Sequence, residues 1–494
     1  MTLSKSQYIR GRQCHKSLWL YKHRPELRDK PDETQESLFE TGNSVGELAR
    51  NLFPNGVEII FDADNFNGMI EKTKALIADG TEVIYEATFN ERGIFVMADI
   101  LVRNGEAWDM YEVKGSTEVK SQYLDDAAFQ WYALSNRLTL GKAYIMHIDN
   151  TYVRKGELDI HALFSVIDVT DEVKAKQEEI PQRLQEMERM LQGKVPDIDI
   201  GRHCNNPYSC DFRTYCWQHI PSKHSVFDLT RAMGKQWRLY EEGIIRFDDI
   251  PEDFPLGAGA SLQLEHYRSG KVKIDCEKIK GFLDTITYPI NFFDFETYQE
   301  PIPRFDDQRP YAQMPFQYSL HILHEDGTLE HKEFLGDEHY DPRRELAERM
   351  LQDITPNGSI VAYHASFEQT QIRTLAALYE DIREQLFTLN ERFVDLEVPF
   401  SSKSYYHLGF NGRSSIKVVL PTMFPDDPEL DYQKLGSVQN GGEAMDTFAK
   451  LHLLKDKTQR EQIRADLLAY CRLDTLAMVR IWEKLHDICR NYKI

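Results

Sequence analysis

Alternating apolar and polar positions predict a β-meander early in the chain. Two such runs, 83–102 and 107–114, are divided by the turn sequences Asn-Glu-Arg-Gly and Arg-Asn-Gly. Apolar residues at helical spacing then predict an amphipathic helix over 123–136. A strand over 142–148 and a charged helix over 171–191 are predicted to follow.

A second α/β pattern begins at Ile290. It predicts strands over 291–295, 316–323 and 359–363, and helices near 342–351, 367–379 and 462–490. Between the two patterns, mixed helical signals with Gly and Pro carry no identifiable chemistry. We therefore expect three parts, namely a first domain over 1–222, a bridging segment over 223–288 and a second domain over 289–494.

Composition supports this division, because 494 residues are too many for one hydrophobic core by default. No run approaches the roughly 20 apolar residues of a membrane helix, and the sequence MTLSKSQYIR lacks the apolar core of a secretory signal. We therefore expect a cytoplasmic protein with no membrane partner.

A net charge of −21 argues against a protein that coats nucleic acid through its overall electrostatics. Residues 5–30 nevertheless hold eight Lys or Arg against two acids. Tyr8, Trp19 and Tyr21 interleave with them, which suits a surface that follows a nucleic-acid backbone and stacks bases. A solvated amphipathic helix is the alternative interpretation.

Three charged residues of the meander suggest a hydrolytic site. Glu112 and Lys114 point to one face of a predicted strand because side chains alternate along it. Asp99 and Glu112 can then share a divalent cation through oxygen ligands, while Lys114 orients water or stabilises phosphate charge. This arrangement suits phosphodiester hydrolysis.

Residues 1–220 resemble the PD-(D/E)XK nucleases, in particular RecB-type members with an iron–sulfur cluster, including CRISPR-associated exonucleases. The resemblance implies catalytic roles for Asp99, Glu112 and Lys114, with Gln130 and Tyr132 supplied by the helix sequence DDAAFQWYAL, which also holds Asp126. The Gln–Tyr spacing departs from the family's Gln-x-x-x-Tyr. The family's upstream His is also missing: TGNSVGELA offers Gly42, Gly46 and, as its substitute, Glu47.

The cysteines do not indicate a disulfide framework in a long cytosolic chain. Cys204, Cys210 and Cys216 cluster in CNNPYSCDFRTYC, and thiolates suit iron–sulfur or zinc. The resemblance implies that Cys14 joins them around a 4Fe-4S cluster that ties the domain's ends together. Their five-and-five spacing differs from the family's two-and-five, so zinc remains an alternative. The histidines beside them, which we expect to neighbour the ligands rather than to ligate, are His15, His203 and His219.

Three fragments carry carboxylates in the second half. In NFFDFET, Asp294 and Glu296 share a strand face, and burying two like charges is costly unless a cation compensates. In IVAYHASFEQTQ, a strand ends at His364 and a helix carrying Glu368 opens. In YCRLD, residues 470 and 474 share one helix face.

In this order the fragments resemble the DEDD exonucleases on the ribonuclease H-like fold, in the variety with a Tyr-x-x-x-Asp motif. The resemblance implies that Tyr470 positions the attacking water and that two Mg or Mn ions are bound by Asp294, Glu296, Glu368 and Asp474. Glu368 departs from the usual Asp. Candidates for holding substrate are Asp395, Lys417 and the run 309–313. Through RPYAQMPFQYSLH and YCRLDTLAM the chain also resembles an uncharacterised bacterial family known only as a domain of unknown function.

Together these patterns predict an α/β multidomain protein, with a restriction-endonuclease-like first domain and a ribonuclease H-like second domain. The expected function is a metal-dependent nuclease acting on single-stranded DNA or DNA ends, with 3′-to-5′ removal of nucleotides at the second site. DNA repair and defence are both compatible, and no residue identifies a helicase or other protein partner. The alternatives are a nucleic-acid binding or sensing protein with one inactive half, and an enzyme that trims RNA.

Overall fold

The computed structural model describes residues 2–30 and 42–491 and divides into two compact units. The first unit comprises Met1–His219 with Glu300–Tyr311, and the second comprises Ile220–Gln299 with Ala312–Ile494. Residues 223–288, expected to form a bridge, therefore lie within the second unit by their contacts. The short segment 300–311 from the second half of the chain lies within the first.

A mixed sheet forms the centre of the first unit. Its strands are β1 (Leu3–Ser4), β2 (Val57–Glu58), β3 (Val83–Glu91), β4 (Ile94–Asn104), β5 (Ala107–Lys114), β6 (Leu140–Ile148) and β7 (Phe164–Asp168). Their order is β2-β3-β4-β5-β6-β7, with β1 parallel to β4. The antiparallel β3–β4–β5 meander confirms the strands expected there. β6 runs parallel to β5, so the chain must cross over between them through a helix.

Helices cover this sheet. They are Lys5–Gln13, His15–His23, 42–49, Phe66–Ala78, Ser121–Leu134, Ile160–Leu163, Thr170–Ala175, Glu179–Gln192 and Arg213–Cys216. The charged helix expected over 171–191 is thus two helices. Tyr8 is buried and stacks on Phe129 with ring centres 4.4 Å apart, so it belongs to the core and cannot stack bases as expected.

The second unit contains a five-stranded sheet of order β11-β10-β9-β12-β13 and a separate pair, β8 with β14. The strands are β8 (Lys273–Ile274), β9 (Ile290–Tyr298), β10 (Met314–Leu323), β11 (Leu329–Leu335), β12 (Ile360–Ala362), β13 (Phe393–Asp395) and β14 (Tyr405–Tyr406). β9 is antiparallel to β10 and parallel to β12, and β12 is parallel to β13. Strands β9, β10 and β12 match the expected ones, whereas β11 and β13 were not expected.

Helices pack on both faces of this sheet. They are Lys235–Glu241, Ala258–Ser269, Cys276–Leu283, Arg343–Asp353, Ser366–Leu378, Arg383–Asn390, Val398–Ser401, Ile416–Met423, Gly441–Leu451 and Lys457–Asn491. Phe293 of β9 packs with Leu346 and Ile372 on one face, and Phe292 packs with Ile481 of the longest helix on the other. With both faces covered, β9 and β10 are buried over almost their whole length. Among the described helices, none combines the length and apolar character needed to cross a bilayer.

Candidate active sites

Strand pairing brings together the two acids of the first site. Ile100 on β4 lies opposite Tyr111 on β5, so the neighbouring residues Asp99 and Glu112 meet across the same pair of strands. Asp99 Oδ2 accepts a hydrogen bond from the backbone N–H of Val113 at 2.7 Å. Asp99 and Glu112 therefore converge as the sequence predicted.

Glu112 is almost fully buried, and cationic and amide groups surround it. Lys114 Nζ donates to Glu112 Oε1 at 2.8 Å, and Lys5 Nζ donates to the same oxygen at 2.5 Å. Gln130 donates to the second carboxylate oxygen. Burial alone would raise the pKa of Glu112, but the charges of Lys114 and Lys5 outweigh it and lower the pKa to about 2.

Asp99 has the opposite character. Burial raises its pKa to about 7, and the neighbouring Glu112 carboxylate adds to the shift while Lys5 and Lys114 oppose it. Glu112 is therefore ionised at any physiological pH, whereas Asp99 gives up its proton near neutrality. A cation that binds both carboxylates must displace that proton.

The helix Ser121–Leu134 presents one face to the site. Lys114 Nζ donates to Asp126 Oδ2 at 2.8 Å and lies 5.0 Å from the centre of the Tyr123 ring. Residues 123, 126 and 130 are three and four apart and so share a helix face, a spacing visible in the sequence. Tyr132 lies about 200° around the helix from Gln130. Its ring packs beneath the Arg92 guanidinium at 4.6 Å, and it is not among the described residues that line the cleft around Glu112.

That cleft has a volume of about 1190 Å³. Glu47, the substitute for the missing His, lines it. Glu86 of β3 lines it as well, in a left-handed backbone conformation with φ of 56°, and pairs with Arg50 at 2.9 Å. Sequence reasoning missed both Glu86 and Lys5, because no spacing relates either residue to Glu112.

The four clustered cysteines surround a small cavity of about 20 Å³. All are free thiols, and the cavity is also lined by His203 but by neither His15 nor His219 among the described residues. Burial raises the pKa of Cys14, although the backbone N–H groups of Ser17 and Lys16 donate to its sulfur and lower it. The structure therefore brings the N-terminal cysteine to the other three, which are Cys204, Cys210 and Cys216.

Four thiols around one cavity are a donor set that either a zinc ion or an iron–sulfur cluster uses. The residues present therefore fit both groups.

The second site begins on β9. Asp294 and Glu296 point to the face covered by the long helix Lys457–Asn491, and their carboxylate oxygens lie within 4.8 Å of each other and of Cys471 Sγ. The thiol is 3.7 Å from Asp294 Oδ2. One turn further along the helix, Asp474 accepts hydrogen bonds from Lys417 Nζ at 2.9 Å and from Tyr432 Oη at 2.5 Å.

Glu368 completes the acidic group from the helix Ser366–Leu378. Its side chain is buried, and Oε2 has no hydrogen-bond partner among the described atoms. Burial raises the pKa of Glu368 well above its usual value, and the Asp294 charge adds to this. Burial and the other acids raise the pKa values of Asp294 and Glu296 in the same way. Such mutual repulsion is relieved when a cation binds between the carboxylates.

Tyr470 lies beside this group. The Tyr470 hydroxyl and the Glu296 carboxylate both border Gly441. A side-chain carbon at that position would lie 3.9 Å from Tyr470 Oη and 4.0 Å from Glu296 Oε2. Burial and the nearby acids raise the pKa of Tyr470 far above its usual value, so its hydroxyl stays protonated and can donate. Lys417 Nζ lies 4.5 Å from the centre of its ring.

Asp395, a candidate for holding substrate, also has hydrogen-bond partners within the protein. Its Oδ1 accepts hydrogen bonds from the backbone N–H groups of His364 and Glu397, both at 2.9 Å. His364 Nδ1 in turn lies 2.8 Å from Glu397 Oε2. These bonds fix the turn that leads from β12 into the helix carrying Glu368.

The run 309–313, also a candidate for holding substrate, falls into both units. Residues 309–311 belong to the first unit, where the Tyr311 hydroxyl donates to the Gly115 carbonyl, and residues 312–313 belong to the second.

Comparison with known proteins gives two similarities. A family model described as a domain of unknown function, DUF2779, matches residues 291–415, which include the first two acidic fragments but not Tyr470 or Asp474. The chain is also 25% identical over 250 residues to an uncharacterized protein, MG366, of Mycoplasma genitalium. That similarity covers 47% of this chain and 37% of the relative's length. Neither description carries an activity.

Proposed function

We propose that the protein is a metal-dependent nuclease with two hydrolytic sites, acting on single-stranded DNA or DNA ends. The observation that carries the proposal is the buried acidic group of the second unit. Beyond the effect of burial, the Asp294 charge raises the pKa of both Glu296 and Glu368, and the Asp474 charge raises the pKa of both Asp294 and Glu296. A protein interior tolerates such a group when cations neutralise it.

The sheet of the second unit supports the ribonuclease H-like part of the proposal. If the five strands are numbered 1 to 5 along the chain from β9, their order across the sheet is 3-2-1-4-5. Among the described strands of this sheet, strand 2, which is β10, is the one that runs antiparallel to strand 1, which is β9. This is the order that the ribonuclease H-like fold uses. Two Mg or Mn ions would be held by Asp294, Glu296, Glu368 and Asp474 and would stabilise both the attacking and the leaving oxygen of a phosphodiester.

The remaining residues of the second site then have defined roles. Tyr470 keeps its proton and donates a hydrogen bond that orients the attacking water toward the terminal phosphate. Lys417, which pairs with Asp474, is placed to stabilise negative charge on that phosphate. Tyr432 holds Asp474 in position through its hydroxyl. The product is a strand shortened from its 3′ end.

In the first site, Asp99 and Glu112 would hold a divalent cation that activates water. Lys114 orients that water and stabilises charge on the phosphate, while Gln130 and Lys5 fix the Glu112 carboxylate. One observation favours the alternative in which this half only binds nucleic acid. Both oxygens of Glu112 already accept hydrogen bonds from Lys5, Lys114 and Gln130, and these must rearrange before a cation can bind.

The direct test is to incubate the protein with labelled single strands of DNA and of RNA in Mg²⁺ or Mn²⁺. The proposal expects shortening of DNA that EDTA stops. Stronger cleavage of RNA would instead identify an RNA-trimming enzyme, and no cleavage of either would overturn the proposal.

The pH dependence of the first site follows from Asp99. Its pKa in the folded protein, about 7, lies above the ordinary value, so the folded state holds this proton more tightly than the unfolded chain does. As the pH rises from about 4 to 7, Asp99 therefore lowers the free energy of unfolding by a growing amount. Cation binding requires loss of the proton, so we expect Mn²⁺ affinity to rise up to about tenfold per pH unit below 7 and then to level off.

Calorimetric titration of Mn²⁺ between pH 5.5 and 8.5 in an Asp294→Ala variant, which disables the second site, would measure this rise. Asp99→Asn serves as the control, because it has no proton to lose and should flatten the profile. An affinity that does not change with pH in the parent variant would contradict the assignment of Asp99.

We further propose that the four cysteines, which line one cavity, hold a 4Fe-4S cluster. Cys14→Ser is then expected to remove the iron and the absorbance at roughly 400 nm typical of such chromophores. It should also lower the melting temperature, because the tie between the ends of the unit is lost. Cys276→Ser, which lies outside the group, should change neither property. Stoichiometric zinc in a colourless protein would contradict the cluster.

A further inference from the structure

The loop between Cys204 and Cys210 forms part of the wall of the first unit's cleft. Pro207 and Tyr208 line the cleft together with Glu112 and Lys114. The loop's backbone is fixed, because Gln13 Nε2 donates to the carbonyls of both His203 and Tyr208 at 2.7 Å. The backbone N–H of Cys210 also donates to the Cys204 carbonyl at 2.9 Å. The side chain of Tyr208 is thus presented from a rigid loop.

Tyr208 lies close to the catalytic group. Burial raises the pKa of its hydroxyl, the Asp126 carboxylate raises it further, and the Lys114 ammonium lowers it. Gln122, at the start of the helix that carries Asp126 and Gln130, provides a hydrogen bond to it. Nevertheless 49% of the Tyr208 surface is exposed, so the residue borders the site without being enclosed by it.

Three tyrosines line the cleft, but they differ in what covers their rings. The face of Tyr21 is covered by the guanidinium groups of Arg10, at 4.7 Å, and Arg28, at 5.6 Å. The face of Tyr123 is covered by Lys114 at 5.0 Å. Within the described part of the chain, no cation or aromatic ring lies over the face of Tyr208. Tyr208 therefore offers an unused aromatic face beside the catalytic lysine.

The charges of the cleft leave little electrostatic attraction for a phosphate backbone. Arg10 and Arg28 share Asp211, and Lys5 and Lys114 share Glu112. Over the whole lining, five cationic side chains face six acidic ones, which are Glu47, Glu86, Asp99, Glu112, Asp126 and Asp211. Counterion release can therefore contribute only weakly to binding. Base–aromatic stacking, which does not depend on free cationic groups, must supply a larger share.

We propose that Tyr208 is the platform on which an unpaired base of the substrate stacks at the first site, which makes that site selective for single-stranded nucleic acid. The inference rests on the proposed nuclease function and names the residue that recognises an unpaired base at its first site. Bases inside a duplex already stack on one another and cannot offer a face to Tyr208. A single strand can place one base there while its phosphate lies against Lys114.

Photo-crosslinking tests the contact without requiring cleavage. A single-stranded DNA carrying 5-iodouracil, bound to the full protein in EDTA and irradiated, is expected to crosslink at Tyr208 when the peptides are mapped by mass spectrometry. A duplex of the same sequence should give little of this product. Crosslinks elsewhere only, or none, would overturn the inference.

Steady-state kinetics distinguish a stacking role of Tyr208 from a merely structural one. In the Asp294→Ala background, Tyr208→Ala is expected to raise the KM for single strands about 5- to 150-fold with little change in kcat. Tyr208→Phe, which keeps the aromatic face, should restore the KM. The matched control is Tyr215→Ala, since Tyr215 belongs to the same cysteine-rich segment but does not line the cleft. An unchanged KM in Tyr208→Ala, or no rescue by Phe, would overturn the stacking role.

These experiments distinguish failure of the stacking proposal from failure of the proposed nuclease function. A crosslink at Tyr208 in a protein that cleaves nothing would keep the stacking platform and reject hydrolysis. Cleavage that depends on Glu112 without any crosslink at Tyr208 would keep hydrolysis and reject the platform.

Discussion

Replacing Asp294 by alanine is expected to lower the removal of 3′-terminal nucleotides about a thousandfold or more. Asp294 lies at the centre of the buried acids, since its charge raises the pKa of both Glu296 and Glu368. Under the proposed mechanism its loss would deprive the cations of a shared ligand and remove several kcal/mol of stabilisation of transition-state charge. Single-stranded DNA labelled at its 5′ end, incubated with Mn²⁺ and resolved on a sequencing gel, would reveal the shortened products.

Two further variants sharpen the test of Asp294. Asp294→Asn removes one of the repelling charges while keeping the shape, so we expect a melting temperature in EDTA no lower than that of the parent. Loss of activity in that variant cannot then be attributed to unfolding. Asp426→Ala removes an exposed acid outside the group and should cleave like the parent protein. If shortening from the 3′ end continued in Asp294→Ala, the second site would not be its source.

Replacing Glu112 by glutamine is expected to abolish cleavage that survives in an Asp294→Ala protein. Glu112 carries a full negative charge at neutral pH because its pKa is about 2, and this charge is what a cation would bind. Glutamine keeps the size of the side chain and a carbonyl that can accept from Lys5 or Lys114, whereas alanine would remove the carboxylate that both lysines share. The rate should fall about a thousandfold.

A substrate with a blocked 3′ end isolates this activity, since removal from that end is then excluded. Glu106→Ala, at the exposed turn between β4 and β5, controls for the loss of an acid from the same hairpin. Unchanged cleavage of the blocked strand by Glu112→Gln would mean that Glu112 has no catalytic role. No cleavage by the Asp294→Ala parent would instead favour the alternative in which the first unit only binds nucleic acid.

Patterns local in sequence predicted the elements that carry the acids. Alternating and apolar runs identified β4 and β5, and an apolar run that leads into Asp294 and Glu296 identified β9. The same reasoning missed β11, whose sequence LEHKEFL is mostly polar because the strand lies at a sheet edge. It also missed β13, since three residues are too few to establish a period.

For the site residues, sequence reasoning fails wherever a contact joins positions that are far apart in the chain. Asp126, Gln130 and Tyr132 were all named from the helix that follows the two acids in the resembling nucleases. Asp126 and Gln130 contact Lys114 and Glu112, whereas Tyr132, whose spacing from Gln130 departs from that of the family, does not line the cleft. Lys5 is 107 positions from Glu112, and only the packing of the N-terminal helix against the sheet brings the two together. Tertiary contacts of this kind leave no periodic signal in the sequence.

The segment Glu300–Tyr311 determines how this protein can be dissected. Cutting the chain at the end of the cysteine-rich region would give a fragment that lacks Tyr311, whose hydroxyl donates to the Gly115 carbonyl directly after Lys114. Ile302 and Tyr311 would also be missing from the apolar cluster that contains Val113. Expression of the first unit by itself therefore calls for a grafted linker that supplies residues 300–311, rather than a simple truncation.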